Sequence, residues 1–319
     1  MLTSLRVKTL AAAAGFDLCG IARAERHPKL ARLAEWIEQG YAGEMTYLAD
    51  SLEERLDPSV ALPTARSVIS VAVVYNTDQP YSSTVTDPER VAIARYAWGD
   101  DYHDVLRTRL RALLAALAAE AGAGFEALSC VDHEAIQERV FAEAAGLGWI
   151  GKNTCLINPQ LGSWLFLGEL ITNVDLVPDV PVDDLCGTCT KCIDACPTQA
   201  IIHRAGPIGD EPSTLDATRC LSYLTIETRG EIDPALQPAV KTQVFGCDIC
   251  QDVCPWNRKA AISEAPAWQP RVGLAFPRLA DLVARTDAEW SATMKGSAMK
   301  RAGLNRIRRT LRYAIAARR

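Results

Sequence analysis

Eight of the eleven cysteines in this 319-residue chain fall in two short stretches and at one point between them, and their spacing limits the fold more than any other feature. The stretch "CGTCTKCIDACP", Cys186 to Pro197, has the C-x2-C-x2-C-x3-C-P spacing. In that pattern three thiolates wrap one 4Fe-4S cluster and the fourth, before proline, reaches a neighbouring cluster. The second stretch, "CDICQDVCP", Cys247 to Pro255, starts like a copy and is one cysteine short. Aligning Cys247, Cys250 and Cys254 on Cys189, Cys192 and Cys196 puts the missing first ligand at Val244. Only Cys220, in "RCLSYLTIE", lies between the two motifs. The expected ligand sets are therefore Cys186, Cys189, Cys192 and Cys254 for one cluster, and Cys196, Cys220, Cys247 and Cys250 for the other. Cys-x-x-Cys pairs also suit a pair of zinc sites, but two Cys-Pro endings and eight placed thiols favour iron. A brown protein separates the two readings from a colourless one.

Two adjacent clusters move single electrons and do little substrate chemistry themselves, so a second region has to consume those electrons. Residues 1–175 alternate helical and strand signals. "SVISVAVVY", from Ser67, is β-branched and uninterrupted, as in a strand buried on both faces. From Asp101, Leu106, Leu110, Leu113, Leu114 and Leu117 share one helical face. "HEAIQERVFAEAAG" predicts a helix from about His133 to Gly146, and "GSWLFLGELIT" a further strand. The expected fold class is α+β. It comprises a mixed α/β domain over 1–175, a ferredoxin-like double-cluster domain over 176–260 and a basic helical C-terminal segment over 261–319. The dinucleotide fingerprint is weak: the glycines of "GLGWIGKN" follow a helix and not a strand, and no P-loop occurs.

No apolar run approaches the roughly 20 residues of a membrane-spanning helix. Asp17 interrupts the alanine-rich start that would otherwise resemble a signal peptide. Thiolates in iron-ligand spacing also fit a reducing compartment, so a cytoplasmic protein is expected. The other three cysteines, Cys19, Cys130 and Cys155, read as small buried hydrophobes. Charge is uneven. From Ser291 to Arg319 there are nine Lys or Arg and no acid, which leaves −14 on residues 1–290 out of a net −5. An acidic body with one basic surface suits contact with a phosphate backbone at one place, or a solvated helix face.

The text around the cysteines resembles the epoxyqueuosine reductase family. The matching stretches are "GEMTYLAD" at Gly43, "ERLDPSVALPTARSVISV" at Glu54, "ARYAWGDDYHDVLRTRL" at Ala94 and the long stretch from Val131 to "GSWLFLGEL". "RCLSYLTIE" at Arg219, "FGCDICQDVCPWNR" at Phe245 and "GSAMKRAGLNRIRR" at Gly296 complete the set. The resemblance spans nearly the whole chain. It implies an enzyme that completes queuosine at the tRNA wobble position, using cobalamin and two 4Fe-4S clusters. It also implies a cobalamin domain related to reductive dehalogenases and, more remotely, to nitroreductase-like folds. By the same resemblance, Asp132 is the acid that protonates the departing epoxide oxygen. Its bland alternative is the N-cap of the following helix.

The cobalamin contacts implied by the resemblance fall on Arg55, Ala97, Asp132, Arg139, Asn153 and Leu156, with Ser222 and Asp248 on the cluster side. A structural ion pair is the alternative for each arginine. No D-x-H-x-x-G motif occurs, so histidine ligation of cobalt is not expected. Here the aspartate is followed by His133, Glu134 and Ala135, where the family usually has a small residue, one further residue and proline. His133 is either a second proton donor or a helix cap. Tyr96, Trp98 and Tyr102 are candidates to stack an extruded base, or core residues. Residues 251–258 and the basic tail are candidates for the anticodon stem-loop of tRNA. Expected partners are that tRNA and a low-potential electron donor, with no membrane, and a monomer leaves the tail free. The rival functions are a cobalamin and iron-sulfur reductase of a small molecule, and an electron carrier without chemistry of its own.

Overall fold

The computed structural model describes residues 2–202 and 213–318. Its first half is built on a four-stranded antiparallel sheet of β1 (Leu18–Arg23), β2 (Ser67–Val74), β3 (Ala127–Cys130) and β4 (Leu165–Thr172), in the order β1-β2-β4-β3. Every residue of β2 is buried, and the period of two shows why. Ile69, Val71 and Val73 face the helices Ser4–Ala13 and Tyr102–Ala121, together with Leu106, Leu110, Leu113 and Leu117. Val68 and Ala72 face the other way, onto Val140, Phe141 and Ala142 of the helix Glu138–Ala144. A strand covered by helices on both faces has no use for polar alternation. Gly20 in β1 is where the second helix layer comes closest. A Cβ there would lie 2.0 Å from the carbonyl oxygen of Ala145.

The helix expected from about His133 starts five residues later, at Glu138. The intervening turn is tied by acidic side chains: the Val131 N–H donates to Glu134 and the Asp132 N–H to Glu138, both at 2.7 Å. Asp132 itself takes a left-handed backbone, φ 59°. It is therefore not the N-cap of this helix, a position held by Gln137.

The cysteine-bearing half is made of short elements, including the helices Lys191–Ala195, Leu221–Ile226 and Ile249–Asp252. The C-terminal helices Leu279–Ala284, Asp287–Met294 and Gly303–Ala316 do not hang free. Leu279, Leu282, Trp290, Ile307 and Leu311 share a core with Val91, Ile93, Trp98, Val244 and Phe245. The segment thus clamps the Val91–Trp98 stretch to the strand just before Cys247. Arg309 secures it from the other side. This residue is 4% exposed, and its guanidinium donates to the carbonyls of Leu224 at 2.5 Å, Thr228 at 2.7 Å and Gly230. Among the described residues, no helix is long and apolar enough to cross a membrane.

Candidate active site

Between the end of the sheet and the cysteine segment lies a cavity of about 360 Å³. Tyr75, Leu165, Phe166 and Leu167 bring an apolar wall from the sheet, and Tyr96 and Tyr102 extend it. Asp132, Glu138 and Arg139 enter from the turn before the helix Glu138–Ala144, and Asn153 to Leu156 from the loop after it. The opposite wall is the cysteine segment, with Cys196, Cys220, Cys247 and Cys250, Ser222, Asp248 and Gln251.

Of the positions expected to hold a cofactor, Asp132, Arg139, Asn153, Leu156, Ser222 and Asp248 line this cavity, while Arg55 and Ala97 do not. Arg55 is 7% exposed and donates to the Ser51 hydroxyl at 3.0 Å and the Ile136 carbonyl at 3.4 Å, so it braces the turn behind Asp132. Ala97 is fully buried, and its carbonyl accepts from the Ser297 hydroxyl at 3.5 Å. Arg139 donates to the Thr154 carbonyl at 2.6 Å, and Asn153 to the Cys250 carbonyl at 3.4 Å, joining the two walls. Asp248 accepts the Arg95 N–H at 2.6 Å. Burial, then the nearby Asp252, push its carboxyl up to about 7.

The eight motif cysteines are unpaired and gather in two groups. Cys192 is pushed up to about 12 by burial and then by its neighbours Cys186, Cys254 and Cys189. Burial raises Cys254 too, with Cys186 and Cys189 among its neighbours. In the other group burial raises Cys220, beside Cys196, and Cys247, beside Cys220 and Cys196. Cys250 is raised by its hydrogen bond with Cys155, then by burial and by Cys247 and Cys220. Thiols crowded in this way resist ionising unless a cation takes them up, so two sets of four soft donors suit two multi-iron centres. Only the second group lines the cavity. Val244 lies outside both groups, buried in the core with Val91 and Phe245.

Asp132 is the focus of the polar side. Its side chain is half-exposed to the cleft, and its Oδ2 lies 3.1 Å from His103 Nε2. His103 Nδ1 in turn lies 2.6 Å from Asp101 Oδ1, on the residue that caps the helix Tyr102–Ala121. Burial acts against the imidazolium, but the hydrogen bonds to Asp101 and Asp132 outweigh it and raise His103 to about 9. Burial pushes the Asp132 carboxyl up, yet the hydrogen bonds from His103 and Tyr102 and the charge of His103 hold it below the usual range. Glu138, which fixes the Asp132 backbone, is raised to about 7 by burial and by Asp132. Behind it Glu169, fully buried on β4, is raised by burial and then by the nearby Glu138.

Sequence reasoning missed His103, Glu138 and Glu169. All three stand in stretches already singled out, "GDDYHDV", "IQERVF" and "GSWLFLGELIT", but no spacing rule ties position 103 to position 132. Of the aromatic candidates, Tyr96 and Tyr102 line the cavity. Trp98 is 1% exposed and donates to the Ile93 carbonyl at 2.7 Å, so it is core. Tyr102 stacks on Phe166 at 4.6 Å. His133 caps no helix; its ring lies 4.4 Å from that of His103.

The basic tail is largely committed to the protein. Beyond Arg309, Arg301 pairs with Glu227 at 2.9 Å, Arg308 with Asp287, and Arg312 with Glu231 at 3.2 Å. Arg306 donates to the Ala302 carbonyl at 2.9 Å and Arg318 to that of Arg90 at 3.0 Å. Lys295 and Lys300 are exposed, and Arg319 lies outside the described residues.

Two family models match the chain: "Epoxyqueuosine reductase QueG, DUF1730" over residues 55–133 and "4Fe-4S double cluster binding domain" over residues 185–257. The epoxyqueuosine reductase of Gloeobacter violaceus is 41% identical, with 99% of this chain and 96% of that protein covered. A crystal structure of epoxyqueuosine reductase with a tRNA-Tyr epoxyqueuosine-modified stem loop superposes with a TM-score of 0.84 at 32% identity, over 98% of this chain and 80% of that one. The Bacillus subtilis enzyme, in a structure with an aspartate catalytic loop swung out of the active site, gives the same TM-score and identity over 98% of this chain and 81% of that one.

Proposed function

The chain belongs to the epoxyqueuosine reductase family, and from that premise we propose that it reduces the epoxide of epoxyqueuosine at the tRNA wobble position to the alkene of queuosine. The carrying observation is Asp132, held at the mouth of a cleft whose opposite wall is made by one set of cluster cysteines. A small-molecule reductase and a simple electron carrier fit the full-length similarity less well. The domain limits, 1–175, 176–260 and 261–319, remain part of this reading, with the last unit packed onto the other two.

Cys186, Cys189, Cys192 and Cys254 would hold one 4Fe-4S cluster, and Cys196, Cys220, Cys247 and Cys250 the other, next to the cleft. The cleft's donor set suits cobalamin, a broad ring rimmed with amides. Its apolar wall can take the ring face. Arg139, Asn153 and Ser222 can donate to amide carbonyls, and Asp132, Asp248 and Leu156, through its backbone, can accept. Arg55 and Ala97 would act from behind the wall. Bound there, the cofactor would supply a strongly reducing metal centre beside the cluster that Cys196, Cys220, Cys247 and Cys250 would hold.

The protein's own residues bind, orient and protonate. An alkoxide is a poor leaving group, and an acid within hydrogen-bond reach of it contributes roughly 10² to 10⁴ in rate. Asp132 is placed to be that acid. Glu138 fixes its backbone and His103 its carboxylate. The stem-loop would approach over the 251–258 segment, with Lys295 and Lys300 as exposed cations. An unidentified low-potential donor, a cytoplasmic location and a monomeric state complete the reading.

The test is to reduce the cobalamin-loaded protein and offer it a stem-loop carrying epoxyqueuosine, then analyse nucleosides by mass spectrometry. Loss of one oxygen from the modified base is expected. No change in the base, with clusters and cofactor intact, would refute the assignment.

A further inference from the structure

Converting an epoxide to an alkene breaks both carbon–oxygen bonds, consumes two electrons and leaves the oxygen as water, so two protons must reach the same oxygen. The clusters and cofactor supply the electrons. A single carboxyl group carries one proton, and Asp132 is the one acid assigned to the task. The second proton therefore needs a source that the assigned machinery does not contain.

We propose that His103 is that source: a positioning residue that orients Asp132 and returns a proton to it from the side away from the cleft, with Asp101 holding the far side of the ring. This inference rests on the proposed function. The geometry is a line of three groups, Asp101 Oδ1 to His103 Nδ1 at 2.6 Å and His103 Nε2 to Asp132 Oδ2 at 3.1 Å. An imidazole with a carboxylate at each nitrogen must donate from both, so the ring is the doubly protonated form. Asp101 is fixed independently, because its carboxylate also accepts the His103 backbone N–H as the helix cap. The ring is further held by stacking on Tyr102, 4.0 Å between centroids.

Every element packed against the ring contributes charge or a polar group. Asp101 and Tyr102 come from its own segment, and Asp132 and His133 from the facing turn. Glu138 lies behind Asp132, the Arg107–Glu134 pair sits one helical turn on, and Arg301 of the C-terminal segment also acts on Asp132. Carboxylates bound directly to the ring outweigh these cations, in keeping with its rise to about 9.

In the first proton transfer the alkoxide that forms as the ring opens is the final acceptor, and it draws the proton from His103 by way of Asp132, whose carboxylate is ionised at rest. His103 is then neutral at Nε2 and reloads from solvent through its partly exposed edge or through His133. In the second transfer His103 again protonates Asp132, which passes that proton to the hydroxyl as it departs as water. No additional reductant or oxidant is required.

The test uses the full-length, cluster-loaded protein and His103→Gln, which keeps a donor toward Asp132 but cannot transfer a proton. Histidine NMR across pH 5 to 10 is tractable with four histidines in the chain. The resonance missing in His103→Gln should stay protonated above pH 8 in the wild type and titrate lower in Asp132→Asn and Asp101→Asn. A His103 that titrates near the ordinary histidine value and ignores Asp132→Asn overturns the proposal, and if His103→Gln fails to fold the resonance is assigned by elimination with His27→Gln, His133→Gln and His203→Gln. On epoxyqueuosine stem-loop the variant should turn over about a hundredfold or more slowly, without the wild-type basic limb in its pH profile, while iron, cobalamin and stem-loop binding are unchanged. Wild-type turnover with an unchanged pH profile overturns the proposal. So does a stoichiometric divalent ion lost on His103→Gln, since His103, Asp132 and His133 offer ligand atoms within 4.8 Å of one another and Nε2 cannot carry both metal and proton. Failure of the function itself looks different: the wild type is inert on the stem-loop.

Discussion

Replacing Arg309 by alanine tests whether the basic C-terminal segment is primarily structural. The guanidinium is buried and donates to three backbone carbonyls, of Leu224, Thr228 and Gly230. Hydrogen bonds from a charged donor are worth roughly 1.5 to 3 kcal/mol each, and an orphaned buried acceptor costs about 1 to 3 kcal/mol. Water can reach the partly buried Gly230 carbonyl, so the full sum is not expected, and a net loss of about 3 to 5 kcal/mol follows. For a chain of this size, at about 2.1 cal/mol/K per residue, that is a fall in thermal midpoint of roughly 4 to 8 °C. The acceptors lie in and just beyond the helix Leu221–Ile226, which follows Cys220. The cluster that would use Cys220 should therefore bleach first on heating. The assay is a melt followed by far-UV circular dichroism and by cluster absorbance, beside Arg308→Ala as control. Arg308 pairs with Asp287 on the surface, and such a pair contributes about 1 kcal/mol or less. An Arg309→Ala protein that melts within about 2 °C of the wild type would refute the structural role.

The remaining predictions concern the clusters, the pH response and the nucleic acid. Cys220→Ser should lower bound iron to about half by iron analysis. Adding Val244→Cys should not restore it, because Val244 is buried in the core with Val91 and Phe245; restored iron would show that position 244 can reach the cluster. His103 is raised from about 6.5 to about 9 in the folded protein. The stability it adds is complete below pH 6.5 and lost as pH rises through 9. The gap in thermal midpoint between wild type and His103→Gln should accordingly close over that window. Lys295→Glu with Lys300→Glu should weaken stem-loop binding and flatten its salt dependence, whereas an unchanged salt slope would place the phosphates elsewhere.

Much of the architecture can be read from local pattern. The unbroken β-branched run of β2 predicts a strand covered on both faces, and the leucines of the helix Tyr102–Ala121 predict the face it buries. The spacing of the cysteines leads directly to two groups of four. Other features depend on partners distant in sequence. The helix after Asp132 starts late because Glu134 and Glu138 spend their carboxylates on backbone N–H groups of the turn. His103 and Asp132 meet across 29 positions. A count of positive charges leaves the tail open to a phosphate backbone or a solvated helix face, and it cannot reveal that Arg309 faces carbonyls and that Arg301, Arg308 and Arg312 face acids. Arg55 and Ala97, carried over by resemblance, are not among the residues that line the cleft.

The central claim is that the cleft between the sheet and the second group of cysteines removes the epoxide oxygen with Asp132 as the acid. The most direct measurement is single-turnover reduction of an epoxyqueuosine stem-loop by wild type and Asp132→Ala, each loaded with cobalamin and both clusters, with products read by mass spectrometry. The account predicts conversion to queuosine by the wild type and a rate lower by about 10² to 10⁴ in the variant, with iron, cobalamin and stem-loop binding unchanged. Equal rates for the two proteins would contradict it.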